Sequence, residues 1–269
     1  MRVRIAALLL LLAAPFALVA CGGGSKTSTK ETKLTPLAYV RSAAQKTAKA
    51  ASEHMTVKGS VAVRGQLVTL SGGGNFDNAS RTGALHMDFN VGVLTGGIDE
   101  VLHGTTIYMK SPLFSDALPK GKTWMKIDLQ RALQSQGIDF STLGSQDPTQ
   151  TLAQLERVGT VAVVGDEDIG GTSTTHYRGH VDVANVPQGD KIKALTNARY
   201  GPIDVWIGKD DGLVHRMKIN YSVAPAGAAR QAITFTTDFS DFGKAVVVTI
   251  PPAADTFDAT NASIRGLGG

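Results

Sequence analysis

The sequence predicts an α+β fold: one large curved antiparallel sheet of about ten or eleven strands, with helices held against one face. Three observations predict it. Apolar residues recur every second position through most of residues 55–250, the signature of half-buried strands. Glycine-rich turn signals separate these runs with no helix-length pattern between them, so successive strands pair as antiparallel neighbours. Helical spacing appears at the start and again in a central interlude.

Thr35-Pro36 opens the folded part. Threonine at the N-cap and proline at the first helical position form a start signal. Leu37, Val40, Ala44, Thr47, Ala48 and Ala51 recur at helical spacing, predicting a slim, alanine-rich helix over Pro36–Glu53. From Met55 the period becomes two. Val57, Val61 and Val63 alternate with Lys58, Ser60 and Arg64; Leu85, Met87 and Phe89 alternate with His86, Asp88 and Asn90; Ile107 and Met109 alternate with Tyr108 and Lys110. Trp124–Ile127 is a further short strand. Gly65, Gly72-Gly73-Gly74, Asn78, Gly96-Gly97 and Gly104 read as turns.

The interlude predicts short helices over Asp128–Gln136 and Asp147–Arg157. Strands resume at Val161–Asp166, Ser173–Val183, Ile203–Ile207, Leu213–Val223, Gln231–Phe239 and Val246–Ile250, with a hairpin turn at Asp210-Asp211-Gly212. One more short helix is expected near Asp190–Asn197. Pro251-Pro252 stops the last strand, and residues 253–269 read as a loosely held tail.

Ahead of the folded part, two arginines precede an apolar run from Ile5 to Ala20, the n- and h-regions of a secretory signal over residues 1–20. The run is short for a spanning helix, which needs about 20 apolar residues. Leu18-Val19-Ala20 leads into Cys21, the single cysteine of the chain. This resembles a bacterial lipobox, which implies a diacylglyceryl group on the Cys21 thiol and cleavage before it. Two or more acyl chains give stable anchoring, each buried CH₂ contributing roughly 0.8 kcal/mol. Residues 21–33 then read as a flexible, solvated tether rich in Gly, Ser and Thr.

The net charge of +4 belongs to these leader segments: from Leu34 onward there are 22 basic and 22 acidic residues. That balance, with no run of alternating aromatic and basic residues, argues against nucleic acid as a partner. One cysteine excludes an internal disulfide framework and a cysteine-rich zinc site. No nucleophile elbow, zincin helix or EF-hand loop is present. His176 and His180 fall on a strand about 13 Å apart, too far to share a metal, and read as exposed polar positions on a sheet face. No catalytic residues, metal ligands or cofactor are expected.

Three stretches together resemble the actinobacterial LppX/LprG family of lipoproteins, related in fold to the LolA carriers. The first is Trp124-Met125-Lys126-Ile127-Asp128, followed by a helix and Gly137-Ile138-Asp139. The second is Val164-Gly165, then Ile169-Gly170-Gly171-Thr172 and Thr175-His176-Tyr177-Arg178-Gly179. The third is Val205-Trp206-Ile207-Gly208, Asp211-Gly212-Leu213-Val214 and Phe239-Ser240-Asp241-Phe242-Gly243-Lys244. They span most of residues 34–252, although 187–202 has no family character.

The resemblance implies a half-barrel closed by helices around an apolar cavity in residues 34–252. It also implies non-catalytic binding of lipid or glycolipid acyl chains and their transfer across the cell envelope, in some members alongside a membrane exporter. Met87, Met109 and Met217 suit such a cavity, because flexible thioethers accommodate varied chains. Leu85, Phe89, Ile107, Ile219 and Tyr221 belong to the same alternating sets. Each of these eight is equally compatible with plain core packing. An envelope sensor or a structural lipoprotein with the same fold remains the alternative reading.

Overall fold

The computed structural model describes residues 34–63, 66–91, 94–135, 137, 160–180, 197, 199–224 and 229–262. The signal, Cys21 and the tether lie outside the described residues, as do the expected helix at 147–157 and nearly all of that at 190–197.

Helix α1 spans Pro36–Ala48, with the Thr35 side chain accepting from the Ala38 N–H as N-cap. It stops five residues before the expected end, because Ser52 and Glu53 are drawn into a ladder opposite Asp77 and Phe76. Pairing across two strands outweighs the helix preference of alanine. Six strands follow: β1 (Ser52–Val63), β2 (Gln66–Asp77), β3 (Thr82–Val91), β4 (Leu94–His103), β5 (Thr106–Lys110) and β6 (Trp124–Asp128). Helix α2 (Leu129–Gln134) is capped by the Asp128 carboxylate, which accepts from the Arg131 N–H. Five more strands complete the second half: β7 (Val161–Ile169), β8 (Thr172–His180), β9 (Arg199–Gly208), β10 (Val214–Val223) and β11 (Gln231–Ser240).

These strands form two antiparallel meanders, β1–β6 and β7–β11, and β1 pairs with β11 to weld them into one sheet. The sheet is open and curved.

Gly72–Gly74 and Gly96-Gly97 lie inside β2 and β4 instead of forming turns. Three other positions show what glycine does in such a sheet. The rings of Phe235, Phe89 and Phe76 lie over Gly59, Gly96 and Gly83, their direct cross-strand partners. A flat ring thereby covers backbone that has no side chain of its own.

The C-terminal region also departs from expectation. Residues 246–250 form no strand, because both flanks of β11 are already occupied, by β1 and β10. The chain therefore leaves the middle of the sheet and crosses to the free edge beside β6. There β12 (Thr256–Asp258) pairs parallel to Trp124–Lys126. Among the described residues the sheet thus has twelve strands and is mixed. The expected tail is ordered over 253–262, held by Ala259 N–H to Lys126 O (2.9 Å) and Asp128 N–H to Thr260 Oγ1 (3.0 Å).

Helix α1 packs Tyr39, Val40 and Ala43 onto Met55, Tyr177, Ile207, Val214 and Phe239. At the other end, α2 buries Leu129 and Ala132 with Ile107, Met109, Ile127 and Ala259. Thr47 ties α1 to the sheet: its hydroxyl donates to Ala43 O (2.9 Å) and accepts the buried Val214 N–H (2.8 Å). Thr47→Val keeps the shape but orphans that N–H, so chemical denaturation is expected to show a loss of about 2 kcal/mol.

Candidate functional site

Directly opposed residues of a ladder point to the same face of a sheet. Register therefore assembles continuous rows. One runs Met217–Thr237–Val57–Gly72–Met87–Ile98 across six strands. The next runs Ile219–Phe235–Gly59–Leu70–Phe89–Gly96. A third runs Phe239–Met55–Gly74–Leu85–Glu100–Met109–Met125. Tyr221 joins the same face through Ile233 and Val61, and Ile107 joins through Leu102 and Ile127. All eight residues singled out in the sequence thus share the face on which α1 and α2 pack.

They do not share one spot. Ile107 and Met109 belong to the cluster under α2, and Met217 packs against the cluster under α1. Tyr221 packs with Val61, Val68, Val223 and Ile233, its ring stacked 6.4 Å from that of Phe235. These four are core residues. Leu85, Met87, Phe89 and Ile219 fall outside all three clusters. The first three line one strand, β3. Ile219 lies four strand positions away on β10, roughly 19 Å at the usual interstrand spacing. The candidate site is therefore the β3 strip of the apolar face, lying between the two helix-covered ends.

Sequence reasoning missed two carboxyls on this face. Glu100 sits between Leu85 and Met109, and Glu53 lies opposite Phe76. The signal was present: Ile98, Glu100 and Leu102 form an alternating set with an acid at an apolar position. Burial pushes both carboxyls up to about 7, with a hydrogen bond from Asn78 partly offsetting it at Glu53. In the unfolded chain both titrate near 4.5. Between those values the folded state holds protons the unfolded state has released, so stability falls as pH rises from about 4.5 to about 7. Glu100→Gln is expected to remove its share of that decline, on the order of 3 kcal/mol, in denaturation curves at pH 5 and pH 8.

The opposite face is polar. There His176, expected to be exposed, is buried at 4%. The reason is a stack: its ring lies 4.2 Å from that of Trp206 on β9, nearly parallel. Nδ1 of His176 faces Glu167 Oε1 (2.9 Å) and Nε2 faces Asp204 Oδ1 (2.8 Å). Trp206 Nε1 donates to Glu167 Oε2, and Arg178 Nε donates to Asp204 Oδ1. Burial pushes Asp204 up, but the Arg178 and His176 hydrogen bonds together outweigh it and hold the carboxyl below its ordinary range. Every carboxylate in this group is engaged by a neighbour, which clamps β7, β8 and β9 together. Among the described residues no three His, Cys, Asp or Glu side chains are placed to hold a metal ion.

No protein-family model matches the chain. Among solved structures, the Mycobacterium tuberculosis lipoprotein LppX superposes with a TM-score of 0.50. The match covers 80% of this chain and 98% of LppX at 19% identity. The chain has the LppX fold. LprF from Mycobacterium bovis aligns with a TM-score of 0.40 at 15% identity, over 80% of this chain and 96% of LprF. In sequence, an uncharacterized 31.2 kDa protein of Streptomyces griseus is 28% identical over 154 residues. That match covers 51% of this chain and 48% of the relative, so the chain spans about half the length of the curated protein it matches. In this chain α1 and α2 pack one near each end of the same apolar face.

Proposed function

We propose that the protein is a membrane-anchored lipoprotein that binds lipid or glycolipid acyl chains against the apolar face of its sheet. It carries them across the cell envelope without catalysis. The observation that carries this reading is the β3 strip. Leu85, Met87 and Phe89 follow one another along the apolar face of a single strand between the ends that α1 and α2 cover, and Met87 and Phe89 are already withdrawn from water there. Acyl chains lose about 25 cal/mol per Å² of apolar area when exposed to water, and such a strip offers them shelter. Support also comes from the LppX fold, whose namesake is a lipoprotein.

Cys21 is the proposed anchor, and a membrane exporter is the proposed partner for loading or unloading. No energy source is required of the carrier itself; binding and release follow the partners' affinities.

The test is mass spectrometry of organic extracts from the full chain purified without added lipid. A discrete lipid species in stoichiometric amount is expected; its absence, with no uptake of added lipid, overturns the reading. Cys21→Ser is expected to abolish metabolic labelling by fatty acid and to release the protein from the membrane fraction. Unchanged labelling and retention would remove Cys21 from that role.

A further inference from the structure

One carboxyl sits in the apolar face with no described residue to answer it. Glu100 is flanked in register by Leu85 of β3 and Met109 of β5. The surrounding Met87, Ile98, Ile107 and Met109 are 3–5% exposed, whereas Glu100 keeps part of its own surface uncovered. No described residue forms a hydrogen bond or ion pair with it. The groups that β3 and β5 present on this face include Gly83, Leu85, Met87, Phe89, Ile107 and Met109, none of them charged. On α2 the one charged residue, Arg131, is exposed and turned toward Asn261. Burial with no opposing charge favours the neutral acid. A neutral carboxyl carries an O–H donor that hydrocarbon cannot satisfy. The acceptor a lipid carries beside its chains is an ester carbonyl.

We propose that Glu100 is a ligand-binding residue that donates a hydrogen bond from its protonated carboxyl to the ester carbonyl of a lipid lying along Leu85, Met87 and Phe89. The cargo class is then an acyl ester rather than an alkyl ether, and release is favoured at high pH. This rests on the carrier reading and narrows it. Ionisation of Glu100 removes the donor and leaves a charge that the bound chains would desolvate. Raising the pH therefore weakens binding.

The experiment measures binding of a fluorescent diacylglycerol and of its dialkyl ether with the same chains. The protein is the full chain, kept in solution by an amphipathic polymer in place of detergent. With a carboxyl titrating at about 7, the protonated fraction falls enough between pH 5.5 and 8.5 to raise the diacylglycerol Kd about 30-fold. At pH 5.5 the ester is expected to bind roughly two- to tenfold more tightly than the ether, the worth of one hydrogen bond. Glu100→Gln keeps a donor but cannot ionise, so it retains the ester preference and loses the pH dependence. Glu100→Leu loses both.

Wild-type affinity equal at the two pH values overturns the proposal, as does an ester preference that survives in Glu100→Leu or a pH dependence that survives in Glu100→Gln. All three leave the carrier reading standing. Failure of wild type to bind either probe at either pH overturns the carrier reading as well.

Discussion

Met87→Trp is expected to leave the protein folded and to strip it of lipid. Met87 is 3% exposed and stands between Gly72 and Ile98 on the apolar face, outside the clusters that hold α1 and α2. On the proposed reading an acyl chain lies beside Leu85, Met87 and Phe89, and an indole in place of the thioether would compete with it for that position. Overpacking of this kind costs about 1–3 kcal/mol. Charged against binding instead of folding, that corresponds to roughly 5- to 150-fold weaker retention of lipid. The measurement is lipid recovered per mole of purified protein, with circular dichroism as the check on folding. Lys58→Trp is the control: Lys58 is exposed and lies on the opposite face of β1, between Ser71 and Thr236. It is expected to carry lipid as wild type does. Equal lipid in folded Met87→Trp would take the β3 strip out of the site.

Gly72→Ala is expected to cost the protein its cooperative unfolding transition. A Cβ on Gly72 would stand 1.9 Å from the carbonyl oxygen of His86 and 2.8 Å from the Cα of Met87. Both are backbone atoms of β3, so neither can swing aside as a side chain would. Relief requires β2 and β3 to separate, which breaks the ladder in the middle of the candidate strip. The expected loss is about 3 kcal/mol or more, the upper end for overpacked sites. Gly179→Ala supplies the contrast. Its Cβ would meet the Val161 side chain at 3.2 Å, a contact that can yield. A change within about 1 kcal/mol is expected there, near the intrinsic Gly-to-Ala difference. Thermal melts of the two variants side by side test both statements. A normal transition in Gly72→Ala would mean that β2 and β3 pair more loosely than described.

Alternation along β3, β5 and β10 was enough to place Leu85, Met87, Phe89, Ile107, Met109, Met217, Ile219 and Tyr221 on one face. Side-chain direction in a strand follows from the local backbone, and register then carries the same parity across neighbours. Alternation could not separate Ile107 and Met109, which α2 covers, from Met87, which it does not. That difference depends on where a helix lands. Glu100 was passed over because acids usually point to solvent. Its environment is made by Leu85 and Met109, fifteen and nine residues away along the chain.

The glycine runs show the same limit. Gly72–Gly74 carries the local signature of a turn, and only β1 and β3 on either side hold it as strand. His176 reads as an ordinary polar strand residue until Trp206, thirty positions later, stacks upon it.

By itself, the sequence determined the class of the fold: a capped first helix, and strands with one apolar side. Each of these depends on neighbours a few positions apart, through period, capping or turn chemistry. The tertiary structure alone decided the weld of β1 to β11, the crossing of residues 241–252 to a parallel edge, and the enclosure of Glu100. These depend on which edges are free and which surfaces are covered once distant segments meet.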